Sequence, residues 1–323
     1  MLRMEILAGP RAGQSDLGPD AISDLVADPA SLLWIDLRDP TPADFDLLAR
    51  EFGFHPLALE DAAQRHERPK LDEYEHFLFI VFYAVRLLKE SWQFATQEIS
   101  LFVGQNYLVT VHAGEVPEVD AVIRRWKDYT DQVQSQRVAV LLYALLDAIV
   151  DCYFPVLDAI AERADVVEDA IFSGRDGAAL NQIFTLRKEL MALRRVLAPE
   201  RDLMSILTRR DIELLGPDTA VFFQDVYDHV LRVTDAIDTY RDLLASALEA
   251  YLSVISNDLN QVMRTLTAWS IILMSLALIA GIYGMNYRLI PPSEWSPAFP
   301  FVLAGMTVLG VALFALFRRI RWL

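Results

Sequence analysis

Hydrophobic positions are spread unevenly along the 323 residues. Leu266 to Tyr283 is an uncharged run of 18 residues, and Ala298 to Phe317 is another of 20. As a helix rising about 1.5 Å per residue, each is long enough to cross a hydrocarbon core of about 30 Å. The segment between them is short and rich in proline (Pro291, Pro292, Pro297). This pattern predicts two membrane spans near the C-terminal end.

Upstream the periodicity changes. Ser31–Leu37, Phe77–Tyr83, Ile99–Val103 and Tyr107–Val111 are short apolar or alternating runs, the last two separated by Gly104-Gln105-Asn106, a hairpin signal. Thr41 followed by Pro42 reads as an N-cap and first helical position for a helix to about Phe52. A second short helix is expected from Pro56 to about Ala63. From Gln136 the strand signals stop. Val138 to Phe172 reads as one long helix with Pro155 its only candidate kink, ended by Gly174 and Gly177, and another helix follows from Ala178 to Leu197. Asp218 to Ala280 is 63 residues without Gly or Pro, opened by Pro217. A single helix of that length would reach about 95 Å; the alternative is two helices with a turn near Ser256-Asn257-Asp258. The expected fold class is α+β: an α/β domain with a mostly antiparallel sheet over 1–135, a helical stalk over 136–262, and a two-span region over 263–323 with a loop at 286–297.

Charge adds topology. Mean hydropathy is positive, yet 23% of residues are charged, so nearly all the charge lies outside the two runs. The net charge of −16 argues against nucleic acid as a partner and is compatible with cation handling. Cys152 is the only cysteine, so no intramolecular disulfide is expected, and residues 1–10 do not read as a signal peptide. Arg264 precedes the first run and Arg318, Arg319 and Arg321 follow the second, while the loop holds only Arg288. The positive-inside rule then places both termini in the cytoplasm of a multi-pass protein of the cell inner or plasma membrane.

Within the first run, steps of three and four from Asn260 pick out Met263, Thr267, Ser270, Met274, Ala277, Gly281 and Gly284. Small residues at such spacing let transmembrane helices pack closely. The same stripe would also make an uncharged wall for a narrow channel that a hydrated cation crosses without being trapped. Two spans cannot enclose a path, so that second reading requires a ring of subunits. Gly284-Met285-Asn286 then falls at the end of the first span. A ring of Asn amide oxygens suits Mg2+, which keeps its waters and is held through them.

His55–Asp61, Arg68-Pro69-Lys70, Leu142–Asp151 with Tyr153-Phe154, Val226-Tyr227-Asp228-His229 and Ile279–Asn286, in this order, resemble segments of the CorA magnesium transporter family over nearly the whole chain. The resemblance implies a funnel-shaped homopentamer of cytoplasmic α/β domains on long stalk helices. Its pore would be lined at Asn260, Met263, Leu266, Met274 and Gly281, with Gly284, Met285 and Asn286 as the selectivity filter. Where the spacing selects Thr267 the family suggests Leu266, and both can border one axis. Implied partners are other copies of the chain, divalent cations and membrane lipid. Mg2+ is the implied cargo and a possible regulator; a Zn2+, Co2+ or Ni2+ carrier of the same superfamily and a membrane-anchored oligomeric scaffold are the alternatives. The stripe has no imidazole or thiolate, which favours Mg2+.

The chain departs from the family where loop acids are common. Arg288 and Pro292 stand at two such positions after Asn286, and Ser275 replaces the proline that often follows Met274. Asp225, Asp228, Asp235, Asp238 and Asp242 recur along the stalk helix, a solvated acidic face or a metal-binding one. In the family, carboxylates between subunits bind regulatory Mg2+; the resemblance places one at Asp225, with Asp165 a candidate second. The loop acid is replaced by Leu87-Leu88, leaving Glu90 as the nearest substitute. No enzyme is expected: the five histidines are scattered, and there is neither a Walker lysine in a glycine loop nor a nucleophile elbow.

Overall fold

The computed structural model describes residues 2–12, 21–88, 93–128, 138–172, 178–209, 212–216, 219–285 and 298–323. Asn286, Arg288, Glu90, Pro217, Gly174, Gly177, Gln136 and the loop prolines, all singled out in the sequence, lie outside these residues. By its contacts the chain divides into two compact units, Met1–Ala170 with Arg175–Ser246, and Ile171–Gly174 with Ala247–Leu323.

The first unit is built on a six-stranded sheet. Its strands are β1 (Leu2–Ala8), β2 (Leu32–Arg38), β3 (Lys70–Glu73), β4 (Leu78–Leu88), β5 (Gln93–Val103) and β6 (Tyr107–His112). They lie in the order β1-β2-β6-β5-β4-β3, and only β2 and β6 are parallel. The expected hairpin joins β5 to β6, closed by the Gly104 N–H donating to the Tyr107 carbonyl at 2.9 Å. Both faces of the sheet are covered, which is why its central strands read as continuous apolar runs rather than alternating ones. Leu33, Ile35, Leu37, Phe79 and Val81 pack beneath α1 (Ile22–Ala27), α2 (Pro42–Phe52) and α3 (Pro56–Gln64). Trp34, Leu78, Ile80 and Phe82 face the opposite core, shared with α4 (Pro117–Asp128), α5 (Val138–Asp151), α6 (Tyr153–Phe172), α7 (Ala178–Arg209) and the first part of α8 (Ala220–Tyr283).

Thr41 begins α2 as expected: its N–H and hydroxyl both donate to the Asp44 carboxylate, at 2.7 and 2.8 Å. Two helix expectations are corrected. The single helix over 138–172 is two, α5 and α6, parted at Cys152, whose N–H reaches back only three residues to the Ile149 carbonyl at 3.2 Å. Pro155 explains the place, because it has no N–H for the Asp151 carbonyl and its ring crowds that carbonyl. The helix expected to stop at Leu197 continues as α7 through Pro199 to Arg209. There the proline is tolerated because Leu203, Met204 and Leu207 beyond it are buried in the core.

Among the described residues, three helical stretches are long and apolar enough to cross a membrane: Val138–Ile171, Ala220–Tyr283 and Phe299–Arg319. In the first, Leu141, Leu142, Leu145, Leu146 and Ile149 are fully buried against the sheet, so its apolar character serves the core. The apolar ends of the other two are mostly exposed: Leu266, Met274 and Leu278 on α8, and Phe299 and Val308 on α9 (Ala298–Arg319). Helix α8 passes Ser256–Asp258 without interruption, and the two-helix alternative is set aside.

Candidate functional site

In the second unit one face of α8 packs on α9. Ala268 and Ile272 are buried with Phe317, and Leu276, Leu313, Trp322 and Leu323 pack around them. Trp269 lies 6.1 Å from Phe314, centroid to centroid. The Thr265 hydroxyl donates to the Trp322 carbonyl at 3.0 Å, and Gly310 lies against Leu276, where a Cβ would make only an ordinary contact at 3.6 Å.

Asn260, Met263, Leu266, Thr267, Ser270, Met274, Ala277, Gly281 and Gly284 are all exposed. At about 100° per residue their mean direction lies about half a turn from the Ala268–Ile272–Leu276 face. The uncharged stripe is therefore the side of α8 that α9 leaves uncovered. The Thr267 hydroxyl is spent on the Met263 carbonyl at 2.7 Å, so it presents oxygen lone pairs rather than a free donor. A Cβ on Gly281 would meet nothing within 4 Å, whereas one on Gly284 would sit 3.1 Å from the Ala280 carbonyl oxygen. The helix closes with the Met285 N–H donating to Ile282 at 3.3 Å, a tighter last turn than the Gly284–Ala280 bond at 2.9 Å before it.

In the first unit, α5 and α8 bring Asp147, Asp151 and His229 together, with one ligand atom of each lying within 4.8 Å of the others. His229 Nδ1 is 3.7 Å from an Asp147 oxygen and, although buried, makes no hydrogen bond among the described residues. Burial and the charge of Asp151 raise the Asp147 pKa, an effect His229 opposes. Asp225 lies close enough to add to that rise, and it accepts a hydrogen bond from the Tyr143 hydroxyl at 3.3 Å. Two carboxylates and an imidazole, one nitrogen of which is unspent, form a donor set for a divalent cation.

The structure thus sorts the sequence candidates. Asp225 neighbours this cluster, while Asp165 is exposed on α6 and is not part of it. Asp238 pairs with Arg194 at 3.0 Å and Arg241 at 3.3 Å, and Asp242 pairs with Arg241 at 3.1 Å, so part of the acidic face is an internal ion-pair network. Sequence reasoning passed over Asp147, Asp151 and His229, although all three lie in segments it had singled out. The four-residue spacing of the two aspartates was the available signal. The histidines are not all scattered, since His229 joins the carboxylates.

An α/β and helical unit followed by two apolar helices defines a membrane protein anchored near its C-terminal end. The model of the family described as "CorA-like Mg2+ transporter protein" matches residues 29–319. A cobalt/magnesium transport protein CorA from Thermotoga maritima is 35% identical over 272 residues, covering 84% of this chain and 78% of its own length. A putative metal ion transporter of Bacillus subtilis, YfjQ, is 33% identical over 90% of this chain and 89% of its own length. The complete CorA magnesium transporter structure from Methanocaldococcus jannaschii superposes with a TM-score of 0.85 at 24% identity, covering 100% of this chain and 99% of that one. The chain belongs to the CorA-like Mg2+ transporter family.

Proposed function

We propose that copies of this chain, five in number, form a ring around a pore lined by α8, through which hydrated Mg2+ crosses the membrane. The observation that carries this reading is the uncharged stripe from Asn260 to Gly284 on the face of α8 opposite its α9 contact. In this reading α9 forms the outer, lipid-facing layer, and Gly284, Met285 and Asn286 form the selectivity ring at the outer mouth. Arg264, Arg318, Arg319 and Arg321 hold both termini in the cytoplasm. No nucleotide need be spent: an inside-negative potential contributes about 4.6 kcal/mol per divalent ion per 100 mV.

The cluster of Asp147, Asp151 and His229, with Asp225 beside it, is the proposed cytoplasmic cation sensor. Charge repulsion among its carboxylates is relieved when a divalent ion binds, which tightens α5 against α8. Its histidine admits softer ions as well as Mg2+. The pore stripe carries no such ligand, so the path itself favours an ion that keeps its water. Uptake into proteoliposomes across a panel of Mg2+, Co2+, Ni2+ and Zn2+ tests the assignment. Mg2+ uptake is expected to lead; uptake of Zn2+ alone would overturn it.

A further inference from the structure

Strand β3 pairs with β4 only as far as Lys70 opposite Val81. The main-chain groups of Tyr83, on the side where β3 has ended, find their partners on two helices instead. The Tyr83 N–H donates to Glu200 Oε1 on α7 at 2.9 Å. The Tyr83 carbonyl accepts from the Tyr153 hydroxyl at the start of α6. The same hydroxyl lies 2.9 Å from Glu200 Oε2. Glu200 is fully buried, and no basic side chain bonds to it among the described residues.

The hydrogens can be counted. Tyr153 has one hydroxyl proton and two oxygen neighbours, the Tyr83 carbonyl and Glu200 Oε2. If Glu200 were ionised, both neighbours would be acceptors and one would go unmet at a buried site. If Glu200 carries a proton on Oε2, it donates to the Tyr153 oxygen, Tyr153 donates to the Tyr83 carbonyl, and every group is satisfied.

We propose that Glu200 is held as a neutral carboxylic acid and acts as a proton-operated latch, fastening α6 and α7 to the unpaired end of β4. Release of its proton to solvent leaves two acceptors for one hydrogen and a lone buried charge, and the contact loosens. Burial pushes the Glu200 carboxyl up to about 8, consistent with this state near neutrality. The groups around it do not supply a counter-charge. Glu98 on β5 and the Glu67 carbonyl share the Tyr83 hydroxyl, and Glu118 on α4 is committed to Arg86 and Cys152. The Tyr153 hydroxyl is itself raised well above its ordinary value by burial and by Glu200, so it is not the group that ionises first.

The sign of the effect follows from linkage. A carboxyl whose affinity for a proton is higher in the folded state favours folding fully below its ordinary value of 4.5. That advantage is lost as pH rises from there to about 8, by up to about tenfold in the folded-to-unfolded ratio per pH unit, and it is flat beyond. The test uses the full chain in lipid nanodiscs, wild type and Glu200→Gln. Glutamine keeps an acceptor for the Tyr83 N–H and a donor for the Tyr153 oxygen without ionising. Infrared difference spectra are expected to show a protonated-carboxyl band in the wild type at neutral pH that disappears with a midpoint near pH 8 and is missing from Glu200→Gln. Thermal melts are expected to show that the variant loses the wild type's decline in stability between about pH 5 and 8. An unchanged carboxyl band in Glu200→Gln, or an unchanged pH slope, overturns the proposal. Should the variant fail to assemble, the wild-type infrared titration decides alone: no protonated-carboxyl band lost between about pH 6 and 9 refutes it.

Discussion

Asp147 illustrates what single side chains contribute and what a sequence conceals about them. Its carboxylate is half-buried beside Asp151 and the exposed Asp225, an arrangement of like charges that raises its proton affinity. Asp225 was legible because it sits in a recognisable segment of a long helix. Asp147, Asp151 and His229 became a set only when α5 folded onto α8, a contact between positions 78 or more residues apart that no local pattern encodes. Millimolar Mg2+ is expected to slow tryptic cleavage of the solubilised protein several-fold. Asp225→Lys and Asp147→Asn should each remove most of that protection. Equal cleavage of wild type and both variants, with and without Mg2+, would assign gating to other groups.

Among elements, those with a strong and complete pattern were legible and those dominated by tertiary contacts were not. The two apolar runs, the capped helix α2, the β5–β6 hairpin and the 64 residues of α8 carry their own signals. Strand β1 was missed because Arg3 and Glu5 interrupt its apolar character; the two are paired to each other at 2.9 Å, and Arg3 reaches Asp120 on α4 at 2.8 Å. Strand β3 is four mostly polar residues at a sheet edge, where Lys70 bonds Asp61 at 2.6 Å. Helix α4 hides its buried face (Val119, Val122, Ile123, Trp126) among charged neighbours. The continuation of α7 past Pro199 overrode a breaker signal, and Glu200 owes its buried position to it. For α8 the faces make a direct prediction. Met274→Trp, on the uncovered stripe, should cut Mg2+ uptake at least tenfold, whereas Ile282→Trp, also exposed but roughly 105° round the helix from the stripe's centre, should leave most of it. Equal loss in both variants would mean that the stripe is a packing surface.

For the molecule as a whole, membership in a family of Mg2+ transporters supports the proposed pore-lining role of the α8 stripe over close packing alone. Among the described residues the second unit holds two apolar helices and leaves the stripe exposed, so the proposed path lies between copies. The proposed ring of five would bury that stripe around one axis and set five Asn286 amides at its mouth. Arg288 and Pro292 stand where the family resemblance leads one to expect acids, so in the proposed ring ion choice would rest on the amides rather than on electrostatic recruitment. The decisive measurement is Mg2+ flux into matched proteoliposomes containing wild type or Asn286→Ala, each checked by mass photometry for a particle near five times 36.6 kDa. Pentamers are expected in both preparations, with robust flux in the wild type and background flux in the variant. Undiminished flux through an assembled Asn286→Ala ring, or transport by a monomer or dimer, would contradict it.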